Sequence, residues 1–374
     1  MLPARGPWDH PYYSIEDAYL NVSFVDSVGE TRRIGVRHKV TGDGPPIVLV
    51  HGLMTSSYSW RFVLEALGRR YRVFAPDLVG AGASDKPLEL CYSVDNVARF
   101  LTAYVRTVSK DPVYLVGNSL GGLYALRAIM NDMTLVHGRR GSAEGGTRDE
   151  TLVVGRRGSA EGGTRDGTLV HGRRGSAEGG TRDEALVHGD AGRPIARRFV
   201  LMHAPGYPLV RTRLLSSILH APALGPAAAE LVAQTAHRFP QQFIAKNVHY
   251  ARSDMMSEEE CAEYGRLFET LDGARVFAKI LDESLDPAEH EAIIGELQRR
   301  AKEGPPLPCP VKLLYARKDV MVPPSFGPRY HSDIPGSELV WIDDASHFLH
   351  VDAPDRTVLE ITSFDPPGAA SATA

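Results

Sequence analysis

Gly117-Asn118-Ser119-Leu120-Gly121 reads G-x-S-x-G, directly after the apolar run 113–116 and directly before a stretch with helical spacing. A serine on a sharp strand-to-helix turn sits in strained backbone, and side chains in place of the flanking glycines would collide with neighbours. The turn lifts the hydroxyl into the open, with a helix N-terminus beneath any negative charge that develops nearby. The chemistry implied is nucleophilic attack by Ser119 on a carbonyl carbon. Such a serine needs a base, and the base needs an orienting carboxylate. Asp319 lies in Ala316-Arg317-Lys318-Asp319-Val320-Met321-Val322-Pro323, just past the apolar run 311–315. His347 lies in Asp344-Ala345-Ser346-His347-Phe348-Leu349, just past the run 338–342. The chain order serine, acid, histidine is one of the known orders of this triad. His350 is a rival base three residues further on, and Asp343 and Asp344 are rival acids on the histidine's own loop.

A tetrahedral intermediate needs two N–H donors for its oxyanion. His51-Gly52-Leu53-Met54 follows the apolar run 47–50, and the expected donors are the amides of Leu53 and Leu120. His51 precedes the glycine and is expected to be a scaffold group. The stretch Asp77-Leu78-Val79-Gly80-Ala81-Gly82-Ala83-Ser84-Asp85 resembles a G-x-G nucleotide loop only loosely, since the third glycine is missing and no helical pattern opens from it. The 14 histidines are scattered, with no cluster at metal-ligand spacing, so neither metal nor cofactor is expected.

Positioning these residues requires a mostly parallel sheet. Runs at 47–50, 71–75, 113–116, 199–202, 311–315 and 338–342 read as strands buried on both faces, and 19–26 with 33–40 as a hairpin. Helical spacing is found over 60–69, 97–105 and 122–130. Strands alternating with helices imply an α/β sheet with helices on both faces, and ligands collect at the strands' C-terminal edge. Between 205 and 308 the alternation stops, and helical patterns cover 214–220, 227–238, 257–271, 273–281 and 287–301. Part of this region is expected to be a lid over that edge. Its apolar residues Leu214, Leu215, Ile218, Leu219, Phe239, Phe243, Met255 and Met256 suggest a hydrophobic acyl or alcohol group, although each one singly suits lid packing as well.

One segment does not belong to this pattern. Residues 134–150 read TLVHGRRGSAEGGTRDE, 151–167 repeat them with Val154 for His137 and Gly167 for Glu150, and 168–184 repeat them unchanged. A fourth copy begins at Ala185 and dissolves by Asp190. Each unit offers one Leu-Val pair amid Gly, Arg, Ser and Glu, too little apolar surface to offset ordering entropy, so a disordered surface insertion is expected. The alternative is an arginine-glycine segment that contacts RNA or a partner, but acidic residues nearly cancel the arginines within each copy.

The 374 residues carry 42 Lys and Arg against 46 Asp and Glu, a net charge of -4, which gives no global case for nucleic acid or acidic lipid. No apolar run reaches the length of a membrane helix, and the N-terminus shows no apolar signal region. Three cysteines, Cys91, Cys261 and Cys309, exclude a disulfide scaffold and suit a reducing, cytoplasmic setting. No nucleic-acid or membrane partner is therefore expected, only a small-molecule substrate. The oligomeric state is not legible.

The blocks VLVHGLMTSSYSW (48–60), PDLVGAGASDKP (76–87), YLVGNSLGG (114–122), KDVMVP (318–323) and ASHFLHVDAP (345–354) resemble the α/β-hydrolase fold superfamily. The likeness is to its cap-bearing group of esterases, haloalkane dehalogenases, epoxide hydrolases and carbon–carbon bond hydrolases. The resemblance implies eight strands, with a helical cap inserted after the sixth, at 199–202. It divides the chain into a first core part at 1–133, the repeat at 134–190, the sixth strand within 191–205, a cap at 206–272, a second core part at 273–365 and a flexible tail at 366–374. It places the repeat at the end of the sheet away from the site. Dehalogenases and epoxide hydrolases of this group use an aspartate where this chain has Ser119, and carbon–carbon hydrolases have a glycine-rich oxyanion loop where this chain has Leu53-Met54-Thr55-Ser56-Ser57. The expected activity is therefore hydrolysis of a carboxylic ester or similar acyl bond. Carbon–carbon cleavage, acyl transfer and a hydrolase-like binding role with low turnover are the alternatives.

Overall fold

The computed structural model describes residues 2–143, 193–222 and 224–365, with the backbone alone over 134–143. Eight strands form one sheet: β1 (Glu16–Val25), β2 (Thr31–Thr41), β3 (Pro46–Val50), β4 (Arg72–Pro76), β5 (Val113–Asn118), β6 (Ala196–Met202), β7 (Val311–Ala316) and β8 (Glu338–Ile342). Their spatial order is β1-β2-β4-β3-β5-β6-β7-β8. The pairs β1–β2 and β2–β4 are antiparallel and the remaining pairs parallel, so the expected hairpin opens an otherwise parallel sheet.

The strands read as unbroken apolar runs because both faces are covered. Val48, Val50, Leu115, Phe199, Leu201 and Leu313 pack into one core, while Ile47, Leu49, Val116, Val200, Met202 and Leu314 pack into a second on the opposite face. Successive side chains of a strand point to opposite faces, so each core takes alternate residues. The register sets Val50 beside Gly117, Gly117 beside Leu201 and Met202 beside Leu314. The C-terminal ends of these strands therefore lie along one edge, and the loops that carry the candidate residues leave from that edge.

Among the described residues, twelve α-helices accompany the sheet: α1 (Leu64–Gly68), α2 (Val94–Val108), α3 (Leu120–Ala143), α4 (Val210–Leu219), α5 (Gly225–Arg238), α6 (Pro240–Asn247), α7 (Glu258–Gly265), α8 (Leu271–Glu283), α9 (Pro287–Glu303), α10 (Phe326–Asp333), α11 (Leu349–Asp352) and α12 (Pro354–Phe364). The helix expected over 60–69 is a 3-10 turn at Ser57–Trp60 followed by the short α1. Tertiary pairing overrides the helical spacing here: the guanidinium of Arg61 is buried against Glu260 and over the rings of Tyr58 and Phe62. The stretch 257–271 is also split. After α7 and a 3-10 turn at Arg266–Phe268, Thr270 caps a new helix, its Oγ1 accepting from the Gly273 amide at 3.1 Å. Helix α8 packs on α5, so the helical layer after β6 continues past the boundary expected at 272.

Helix α3 extends beyond 130 into the first ten residues of the repeat. Once a helix is nucleated, each further turn adds hydrogen bonds without a new nucleation cost. The disorder expected of the repeat falls otherwise on 144–190, and the flexible tail on 366–374, both outside the described residues. The repeat's flanks are joined at the N-terminal edge of the sheet, where the Ile195 amide donates to Asp132 Oδ2 at 2.9 Å. Among the described residues no helix is long and apolar enough to cross a membrane.

Candidate active site

Ser119 links β5 to α3 with φ +57°. Left-handed backbone costs a non-glycine residue about 1 kcal/mol, so the surrounding structure must impose it. Two bonds do so: the Ser119 amide donates to Met202 O at 2.7 Å, and Ser119 O accepts from the Gly122 amide at 2.9 Å. The glycine requirement is physical. A Cβ on Gly117 would stand 2.6 Å from Gly121 O, and one on Gly121 would stand 2.2 Å from His51 O. Three non-glycine residues have positive φ among the described residues, Met54 (+60°), Ser119 and His203 (+47°), and all three lie at this edge of the sheet. Backbone strain concentrated in this way marks a functional site.

His347 sits on the loop after β8, with Nδ1 at 2.8 Å from Asp319 Oδ2. Asp319, on the loop after β7, accepts at Oδ1 from the Met321 amide at 2.6 Å and the Val322 amide at 2.9 Å. Burial opposes its charge, but His347 and the close approach of His203 hold the carboxyl well below the usual carboxylate range. Ser346 Oγ donates to Lys318 O at 3.2 Å, which joins the two loops. The rivals are placed elsewhere. His350 is fully buried, stacked on Trp60 with centroids 4.1 Å apart, and neither ring nitrogen has a hydrogen-bond partner. Asp343 and Asp344 are exposed and pair with Arg317 and Lys318.

Ser119 and His347 line one cavity of about 270 Å³, together with Gly52, Leu53, Met54, Leu120 and residues of the helical region after β6. Leu53 and Leu120 thus stand on the wall beside the serine. Leu120 is the first residue of α3, so its amide has no carbonyl one turn earlier to bond. Gly52 is pressed against the serine, since a Cβ there would lie 2.9 Å from Ser119 Cβ. His51 holds this loop from behind. The Leu78 amide donates to its Nε2 at 3.0 Å, so the proton is on Nδ1, which donates to Gly52 O at 2.8 Å. The Asp77 loop makes no nucleotide cradle: Asp77 is buried, takes the Ser57 and Ala83 amides at 2.8 Å each, and pairs with Arg37 at 3.1 Å.

Two groups escaped the sequence reading. His203, one residue past β6, is fully buried with Nδ1 at 2.7 Å from Asp319 Oδ2. The available signal was its position directly after a buried parallel strand at the ligand-binding edge. Asp352 accepts from the Ser346 amide at 2.8 Å and the Ala251 amide at 2.9 Å, joining the histidine loop to the helical region after β6. Burial pushes its carboxyl up to about 6 against these bonds. His203, Asp319 and His347 bring ligand-type atoms within 4.8 Å of one another. Their protons fit a hydrogen-bond cluster better than a cation site, because both Nδ1 atoms face a carboxylate oxygen as donors.

The expected lid residues divide. Leu215 lines the cavity, Leu219, Met255 and Met256 are buried, and Phe243 is partly buried against the core. Leu214, Ile218 and Phe239 are exposed on the outer surface and do not shape the cavity, a correction to the sequence expectation. The helical region after β6 contributes Leu209, Arg211, Thr212, Leu215, Asn247 and Val248 to the lining.

Residues 45–137 match a family described as alpha/beta hydrolase fold. Among curated proteins, the chain is 41% identical over 88 residues to 2-hydroxy-6-oxo-2,4-heptadienoate hydrolase of Pseudomonas putida, covering 23% of this chain and 32% of that protein. It is 34% identical over 97 residues to haloalkane dehalogenase 2 of Mycobacterium tuberculosis, covering 26% of this chain and 34% of that one. These matches span about a third of the length of those relatives, and about a quarter (26%) of an uncharacterized protein of Mycobacterium tuberculosis. Among solved structures, an epoxide hydrolase (CorEH) superposes with TM-score 0.61 at 16% identity over 93% of this chain and 98% of that one. An esterase from Thermogutta terrifontis superposes with TM-score 0.56 at 17% identity over 93% and 97%. With the sheet order and the helical insertion after the sixth strand, these likenesses show the α/β-hydrolase fold.

Proposed function

We propose that this chain is a serine hydrolase that cleaves a carboxylic ester or similar acyl bond of a small, apolar substrate. One observation carries the reading: Ser119, in left-handed backbone, opens onto the same cavity as His347, whose Nδ1 is bonded to Asp319. In this reading His347 takes the Ser119 proton as the hydroxyl attacks the carbonyl carbon. The amides of Leu53 and Leu120 receive the oxyanion. His347 then protonates the leaving group, and a water deprotonated by the same base releases the acid. Asp319 holds the imidazole with its proton on Nδ1 and stabilises the cation that forms. The helices between β6 and α9 act as the cap that shapes substrate choice. The unpaired Cys91, Cys261 and Cys309 fit a cytoplasmic setting.

A series of p-nitrophenyl esters of increasing acyl length, turned over by the wild type and by S119A, tests this reading. The expected result is turnover that vanishes in S119A. A folded wild type without turnover on any ester overturns it. One observation favours a second reading, carbon–carbon cleavage of a substrate bearing a carboxylate: among the described residues, Arg211 is the one permanently charged side chain in the cavity lining. Product analysis with a dienoate ring-cleavage acid separates the two.

A further inference from the structure

We propose that His203 is a positioning residue for the catalytic pair, a second imidazole that holds the Asp319 carboxylate at the same oxygen that His347 approaches. The proposal rests on the hydrolase reading for its kinetic consequences, while its geometry stands by itself. The Ala316 amide donates to His203 Nε2 at 3.1 Å. That nitrogen therefore carries a lone pair, and the ring's single proton is on Nδ1. Nδ1 lies 2.7 Å from Asp319 Oδ2, the oxygen that His347 Nδ1 approaches at 2.8 Å. With two amides on Oδ1 and His347 on Oδ2, the carboxylate accepts three hydrogen bonds, and His203 Nδ1 adds a close polar contact whose angle lies outside that of a hydrogen bond.

The backbone supports the same assignment. His203 holds φ +47° directly after β6, which turns its ring under the Asp319 loop. The ring is fully buried and neutral, because burial pushes its proton affinity down and Asp319 only partly offsets this. A neutral donor lets Oδ2 take two imidazoles without a second cation beside the one that forms on His347. The other titratable groups around the pair are Tyr315, whose ring centroid is 5.1 Å from that of His203, and His350 and Asp352 on α11. Arg61 acts on His350 from behind.

A carboxylate oxygen that faces two N–H groups is a weaker base than one serving a single imidazole. Removing the His203 donor frees the carboxylate to rock and leaves it more basic toward His347. In H203L, kcat is expected to fall about 10- to 100-fold with KM unchanged. The acidic limb of kcat/KM is expected to move about 0.5–1 pH unit higher, because the imidazolium is held more tightly. H203N retains a donor near the Nδ1 position and should recover most of kcat and restore the limb. A purely structural histidine would change the folded fraction without moving the limb.

Proton–nitrogen spectra of 15N-histidine protein supply a readout independent of any substrate. The wild type should show His203 protonated on Nδ1 alone and a low-field His347 Nδ1–H signal that moves or broadens in H203L and is restored in H203N. A His203 protonated on Nε2 in the folded wild type overturns the proposal even if no variant folds. A His347 signal and a pH limb both unchanged in H203L also overturn it. A wild type that hydrolyses no ester counts against the hydrolase reading, while the spectra still decide the role of His203.

Discussion

The two walls of the cavity are built by different physics. On the sheet side directed bonds and close backbone contacts hold each group: Ser119 by its amide's hydrogen bond to Met202 O, Gly52 by close approach to the serine, His51 and Asp319 by backbone amides that fix proton or orientation. On the helical side Leu209, Leu215 and Val248 meet the cavity through apolar contact, and the outer face of α4 leaves Val210, Leu214 and Ile218 exposed. Directed bonds specify geometry to a fraction of an ångström, which bond-making requires, whereas apolar contact specifies volume. The proposed function therefore assigns the chemistry to the sheet side and the selection of size to the helical side.

Substitutions on the two walls should separate accordingly. S119A or H347A should lower kcat on a p-nitrophenyl ester by about 10⁴-fold or more, measured on folded protein. D319N should cost about 10³–10⁴-fold by presenting an NH₂ group where His347 needs an acceptor. G52A should cost about 10²-fold with the fold retained, since its new Cβ displaces Ser119 from its attacking position. L215A should change kcat by less than about tenfold while moving the preferred acyl length upward, and L214A, on the exposed face, should change neither. A large kcat loss in L215A, or none in G52A, would break the division.

The weakest expected effect concerns the seam between the walls. Asp352 binds the histidine loop and the helical region after β6, and its folded carboxyl titrates near about 6, above the ordinary 3.8. A raised acid binds its proton more tightly in the folded state, so its stabilising contribution is complete below the unfolded value and is lost as pH rises toward 6. Wild type should lose up to about 3 kcal/mol of unfolding free energy from this group between about pH 4 and 6. In D352N that slope should disappear, as denaturant titrations at successive pH values will show.

The sheet side was also the legible side. Unbroken apolar runs mark strands buried on both faces, and Ser119, Asp319, His347, Leu53 and Leu120 stand at fixed short offsets from such runs, so local pattern alone gathers them at one edge. His203 was invisible because its partner is 116 residues away and its role depends on which nitrogen meets Ala316. Met54 gave no sign of positive φ, since no glycine marks it. Other details were lost to tertiary pairing: the burial of Arg61 against Glu260 breaks the helix expected over 60–69, and Leu214 and Leu215, adjacent in sequence, face solvent and cavity respectively.

The central claim is that Ser119 is activated through His347. Incubation with a fluorophosphonate, followed by intact mass and peptide mapping, reads this directly. The account predicts one stoichiometric adduct on Ser119, absent in S119A and slowed by orders of magnitude in H347A. A folded wild type that takes no adduct, or takes it on another residue, would contradict it.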